Sequence, residues 1–237
     1  MTGKNRIAFC SSQRGYLQIV SLLIAVLVLC ALLCGCSDEP TDSTKPYYGE
    51  PSTLYNATSA DLYCMEITRY SGPFVEDGTN EPVEDVAAIL VENGSKQFLD
   101  RATVTYDVGG KTATFVVTGL PAGGKAWVLE SNRMQLEEQL EFEFLDCESS
   151  FRKDAVTDTK LLDVSAVDNL ITVKNVSDDT LNNVCIYYKN VNSDGNYLGG
   201  ISYMIAFDTL DANESTEKAS AHYTDNSRIV RYSYQTE

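Results

Sequence analysis

Residues 91–106 align without a gap on residues 173–188. Val91, Asn93, Ser95, Leu99 and Tyr106 meet identical residues at Val173, Asn175, Ser177, Leu181 and Tyr188, while Ala102 and Val104 meet Val184 and Ile186. Further on, residues 118–124 match 208–214 after an eight-residue insertion. A chain with this self-similarity must build one structural unit twice, so the fold question reduces to what one unit of under 100 residues can be.

Each unit reads as β. Ala102, Val104 and Tyr106 alternate with Thr103 and Thr105, and Val184, Ile186 and Tyr188 alternate with Cys185 and Tyr187. Ile201, Tyr203, Ile205 and Phe207 alternate with Ser202, Met204 and Ala206, and Phe142 and Phe144 with Glu141 and Glu143. A period of two with β-branched and aromatic enrichment is the strand signal. Gly109-Gly110, Gly123-Gly124 and Asp194-Gly195 punctuate the strands as tight turns. Residues 86–91 form an unbroken apolar run, which predicts a central strand buried on both faces. Residues 131–139 read as one short helix. Six or seven strands per unit and no long amphipathic helix predict β-sandwiches over 59–150 and 160–237. Trp127 is expected in a sandwich core, with a surface contact as the alternative.

The N-terminal region carries a different message. Residues 1–16 hold Lys4, Arg6 and Arg14 and no acid, and residues 17–34 carry no charge. The run Leu33-Cys34-Gly35-Cys36 closes that stretch and resembles a bacterial lipobox. The resemblance implies a signal peptide over 1–35, cleavage before Cys36, and a diacylglyceryl thioether on Cys36 that anchors the mature chain in the lipid membrane. The alternative is one uncleaved transmembrane helix, since 18 helical residues reach roughly 27 Å. Either arrangement puts the rest of the chain on the extracytoplasmic face. Residues 36–58, rich in Ser, Thr, Asp and Pro, read as a disordered, flexible linker.

Charge narrows the partners. The chain holds 18 basic and 34 acidic residues, and three of the bases but none of the acids precede Cys36. The remainder therefore has 15 bases against 34 acids, which excludes nucleic acid as a partner and leaves anchoring to the lipid. Of seven cysteines, only Cys64, Cys147 and Cys185 lie in the folded part. Cys64 and Cys147 near the ends of the first unit are a candidate disulfide, with two buried thiols as the alternative. Cys185 is expected to be a free thiol facing away from the core.

The order strand, Asn-x-Ser, Leu181 with Val184, Ile186 and the Tyr187-Tyr188 pair, long strand, Leu-x-Ala-x-Glu, strand resembles the FxLYD type of immunoglobulin-like domain found in Gram-positive surface lipoproteins. Asn190 stands where that family commonly has Asp. The resemblance implies all-β architecture with two tandem immunoglobulin-like antiparallel β-sandwich domains behind an N-terminal signal helix. It brings no catalytic residues.

Direct searches for chemistry return little. Asn190, Asn192 and Asp194-Gly195 begin like a calcium loop, but Ile201 occupies the position of the bidentate Glu, so a hairpin turn is expected. Glu141 and Glu143 alternate with Phe and read as a solvated strand face. His222 is the single histidine, with no Gly-x-Ser-x-Gly nearby, so neither a triad nor a zinc site is expected. No metal or cofactor is implied. The expected role is non-enzymatic: an interaction module for a protein or envelope glycan, with Tyr187 and Tyr197 as the candidate binding surface. The alternatives are an envelope-acting enzyme or enzyme accessory with an acidic cleft between the units, and an accessory subunit of a transporter or sensor.

Overall fold

The computed structural model describes residues 47–48, 56–57, 61–136, 141–153 and 160–236. Its elements are fourteen β-strands: β1 (Tyr47–Tyr48), β2 (Asn56–Ala57), β3 (Leu62–Pro73), β4 (Pro82–Asn93), β5 (Phe98–Val108), β6 (Lys111–Leu120), β7 (Lys125–Leu129), β8 (Phe142–Arg152), β9 (Leu162–Val167), β10 (Leu170–Asn175), β11 (Leu181–Val191), β12 (Tyr197–Leu210), β13 (Ser215–Ala219) and β14 (Ser227–Thr236). The all-β expectation is met. Residues 1–46, with Cys36 and the expected signal segment, lie outside the described residues.

Both repeats run their six strands identically. The first, second and fifth strands make one sheet, and the fourth, third and sixth make the other: β3-β4-β7 against β6-β5-β8, then β9-β10-β13 against β12-β11-β14. Each repeat encloses its own apolar core. In repeat 1, Leu62, Ile67, Ile89, Val104, Tyr106 and Phe115 pack together; in repeat 2, Ile171, Val173, Val184, Ile186, Tyr188 and Phe207 do so. The alternations seen in β5 and β11 place the predicted residues inward. Residues 86–91 are buried throughout, and β4 lies between β3 and β7.

The two sheets that meet are not equivalent. β7 of repeat 1 pairs in parallel with β12 of repeat 2, Ala126 opposite Tyr197 and Trp127 opposite Leu198. This joins β3-β4-β7 to β12-β11-β14 in one eight-stranded sheet that also takes in β1 and β2.

The Asn-x-Ser common to both repeats has a shared physical cause. Asn93 Nδ2 donates to the carbonyls of Gln97, Leu120 and Pro121 at 2.9, 2.9 and 3.2 Å, while its Oδ1 accepts from Ser95 N and Oγ. Asn175 repeats this with the carbonyls of Asp179, Leu210 and Asp211 and with Ser177. Both asparagines are fully buried. Each ties the turn after the second strand to the end of the fourth, satisfying carbonyls that would be costly to bury alone.

Four expectations need correction. Residues 131–136 are not helical: they form a turn and a bridge, Gln135 to Val86, while 137–140 lie outside the described residues. Arg133 takes a left-handed φ of 59°, which interrupts an α-helix, and the fully buried Glu130 carboxylate holds the resulting turn by accepting from Asn132 N and Met134 N at 2.8 Å each and from Thr114 N of β6 at 3.0 Å. Within the expected linker, Tyr47–Tyr48 and Asn56–Ala57 pair with β3. Of the two alternatives open for Cys64 and Cys147, the disulfide is not the one observed: no bridge joins them. β3 and β8 belong to opposite sheets rather than neighbouring positions, and the buried Tyr106 hydroxyl sits beside both thiols without a normal hydrogen bond. Lastly, Trp127 is buried, but on the outer face of the β3-β4-β7 sheet, with Tyr70, Phe74, Leu90 and Leu129.

Candidate binding surface at the junction of the repeats

The junction is organised around a buried Lys189 and a half-buried Glu76. Past Trp127 and Leu198 the parallel pairing of β7 and β12 ends, and Leu129 N and Gly200 N are left facing the gap. Glu76, from the β3–β4 loop, fills it. Its carboxylate accepts from Leu129 N at 2.8 Å and from Gly200 N at 2.8 Å to each oxygen. Lys189 of β11 has no exposed surface, and its Nζ donates to the carbonyls of Thr118, Gly200 and Ile201 at 3.1, 3.0 and 2.6 Å. Thr118 belongs to repeat 1 and the other two to repeat 2, so the ammonium staples the repeats together. Burial pulls the Lys189 ammonium below its ordinary value, and the Glu76 charge opposes that shift. Burial pushes Glu76 upward, opposed by its N–H donors and Lys189.

Gly200 permits this approach. A Cβ there would lie 1.8 Å from the carbonyl oxygen of Val116, a backbone atom of β6. Thr118 Oγ1 adds a bond to the Gly200 carbonyl at 3.1 Å, and Ser202 Oγ donates to Thr118 O at 3.0 Å.

Outside this lock lies a cleft of about 480 Å³, lined by Phe74, Asp77, Ser131, Arg133 and Ile201 among others, with Glu76 at its wall. Its acids are engaged. Asp77 Oδ1 accepts from Thr79 N and Oγ1 at 2.9 and 2.7 Å, and Oδ2 pairs with Arg133 at 2.7 Å. These bonds, the Thr79 donors first, hold the Asp77 carboxyl down at about 2. Arg133 also pairs with Glu81 at 2.9 Å and lies over the Phe74 ring at 4.6 Å.

The two tyrosines named from sequence occupy different surfaces. Tyr187 faces outward on β11, with the Arg231 guanidinium 3.9 Å above its ring and the 54 % exposed Met204 across from it on β12. Tyr197 is half buried against the repeat 1 core at the start of β12. Tyr187 is level with Met204 and Tyr197 with Val191, four residues along β11, or about 13 Å. His222 stacks on Tyr203, centroids 4.7 Å apart and planes at 13°, and Tyr203 stacks in turn on Tyr188. The 190–196 segment is a hairpin turn: Asn192 Oδ1 accepts from Asp194 N and Asn196 N, both at 3.0 Å. Among the described residues no group of His, Cys, Asp and Glu is arranged to hold a metal.

Sequence reading missed Glu76 and Lys189. Glu76 sits in a loop whose sequence reads as an ordinary polar turn. Lys189 left one signal: it is a charged residue at the position where the aligned repeat has Asp107, which caps the Gly109-Gly110 turn through Gly110 N. No family model matches the sequence, and no curated protein matches it significantly.

Proposed function

We propose that this chain is a lipid-anchored, extracytoplasmic interaction module in which two immunoglobulin-like repeats are held at a fixed angle to present a binding surface at the cell envelope. The observation that carries the reading is the junction lock. Glu76 and Lys189 bind backbone groups of both repeats, Asp77 and Arg133 bind each other and the β3–β4 loop, and each therefore acts as scaffold. Rigid presentation is what an interaction module needs, because ordering done in the fold is not paid again on binding. The common six-strand order supports kinship with immunoglobulin-like lipoprotein domains. The Leu33-Cys34-Gly35-Cys36 run supports anchoring through Cys36.

Metabolic labelling with a fatty-acid analogue tests the anchor. The wild-type chain takes up label and moves to the membrane fraction in a shortened form, whereas Cys36→Ser stays unlabelled at precursor length. Equal labelling of both contradicts the reading.

A further inference from the structure

We propose that the two adjoining clefts flanking the turn at Pro121 and Ala122 form one anion-binding groove for an extended polyanion of the envelope. The inference deepens the interaction role by naming the ligand class, and rests on that role for the ligand's location. The first cleft, about 550 Å³, is lined by Lys96, Arg152 and Lys153 around Phe98; the second, about 500 Å³, carries Lys125 and Arg228 with Tyr197. Both contain Pro121 and Ala122, so they adjoin at that turn. Neither has an acidic residue in its lining, although the chain's acids outnumber its bases 34 to 18.

Charge and geometry agree on the ligand. Arg152 is paired with Asp100 at 2.7 Å and Lys125 with Glu92 at 3.4 Å, both near the surface. Among the described residues Lys96, Lys153 and Arg228 have no carboxylate partner within salt-bridge reach, and Arg228 is aimed by its bond to the Ser227 carbonyl at 2.9 Å. A basic channel on an acidic body focuses anions at that place and repels them elsewhere. Two consecutive concave sites suit a linear polymer with repeated negative charge. A flat bilayer would bring its anionic surface against the acidic remainder of the protein. The second cleft is built from both repeats, residues 121–125 on one side and Val191, Tyr197 and Arg228 on the other. The Glu76 and Lys189 lock thus fixes the groove's two walls.

The test uses the full chain extracted in neutral detergent. Binding of fluorescent inorganic polyphosphate and of poly-glutamate is followed by anisotropy at rising salt. Saturable, salt-sensitive binding to either polymer is expected, and the preferred one names the anion as phosphate or carboxylate. Lys96→Glu/Lys153→Glu should weaken it by about tenfold or more, at roughly 1 kcal/mol per lysine against an anionic surface. Lys96→Gln/Lys153→Gln, which adds no negative charge, should weaken it less. Lys111→Glu, at the far end of β6, should leave it unchanged. No binding at low salt, equal weakening by Lys111→Glu, or binding to phosphatidylglycerol vesicles alone would each overturn the proposal. A failed Cys36 label would remove the anchor while leaving this binding intact, so the two failures are distinguishable.

Discussion

The outer face of the β3-β4-β7 sheet and its counterpart in repeat 2 share one backbone plan and opposite chemistry. In repeat 1 that face carries Ala88, Leu90, Trp127 and Leu129, covered by Phe74 and Val75 of the β3–β4 loop and by Leu198. The aligned positions in repeat 2 are Leu170, Thr172, Glu217 and Ala219, and nearby Val167 is 73 % exposed. The repeats therefore keep what closes a sandwich and diverge where one sandwich meets the other. The pinned asparagines Asn93 and Asn175 belong to the first class; Glu76, Lys189 and Gly200 belong to the second.

Breaking the junction should have the largest effect. Lys189→Met leaves Glu76 without its counter-charge and takes one donor from each of three carbonyls, of which Gly200 and Thr118 keep the hydroxyls of Thr118 and Ser202, so we expect a loss of about 3–5 kcal/mol in denaturant unfolding. Adding Glu76→Gln should restore part of it, because the uncompensated charge is then gone. A loss below about 1 kcal/mol would mean that water reaches the site and that the repeats meet loosely. Gly200→Ala tests the same contact sterically. Its Cβ meets the Val116 carbonyl, so β12 must move off β6, at a cost of about 3 kcal/mol or more.

The asparagine pins sharpen the other half of the comparison. Asn93→Ala and Asn175→Ala should each cost about 2–4 kcal/mol, from buried carbonyls left unpaired. Near-equal losses are expected because the bonding is the same in both repeats. A large loss in only one would show that the copies have diverged in their closing device as well.

Thiol chemistry separates the repeats more gently. Burial pushes Cys64 up to about 11, whereas Cys185 is partly exposed on an outward strand face. An alkylating reagent on the native protein at neutral pH should modify Cys185 first and Cys64 only on unfolding; the reverse order would contradict the placement of β3. The smallest effect concerns Asp77. Its carboxyl lies at about 2, below the ordinary 3.8, so its contribution is present above that ordinary value and is lost as pH falls through about 2. Asp77→Asn should flatten the acid limb of a stability profile in that window and leave the neutral region unchanged.

Much of this was legible in the chain. The ungapped repeat gave the tandem units, the period of two gave strand faces, and the unbroken apolar run of residues 86–91 announced a strand buried on both sides. The contrast with β10, where Ile171 and Val173 alternate with Thr172 and Lys174, was there to be read as one covered outer face and one bare one. Three things were hidden. The helix expected over 131–139 gives way to a turn because Arg133 takes a left-handed φ and Glu130 bends back onto Asn132 N and Met134 N, and propensity cannot see where a side chain bends back. The thiol pair depended on the buried Tyr106 hydroxyl standing beside both cysteines, a tertiary placement that spacing does not reveal. Lys189 depended on β6 of repeat 1 packing against the neighbouring strand β12, a tertiary contact that turns a surface position into a buried one.

The central claim is that the junction makes the two repeats one cooperative unit although each has its own core. Hydrogen exchange of the full chain in increasing denaturant tests it most directly. Core amides of β4 and β5 and those of β10 and β11 should converge on one opening free energy, and Lys189→Met should split them. Separate opening energies for the two repeats in the wild-type chain, unchanged by Lys189→Met, would contradict the account.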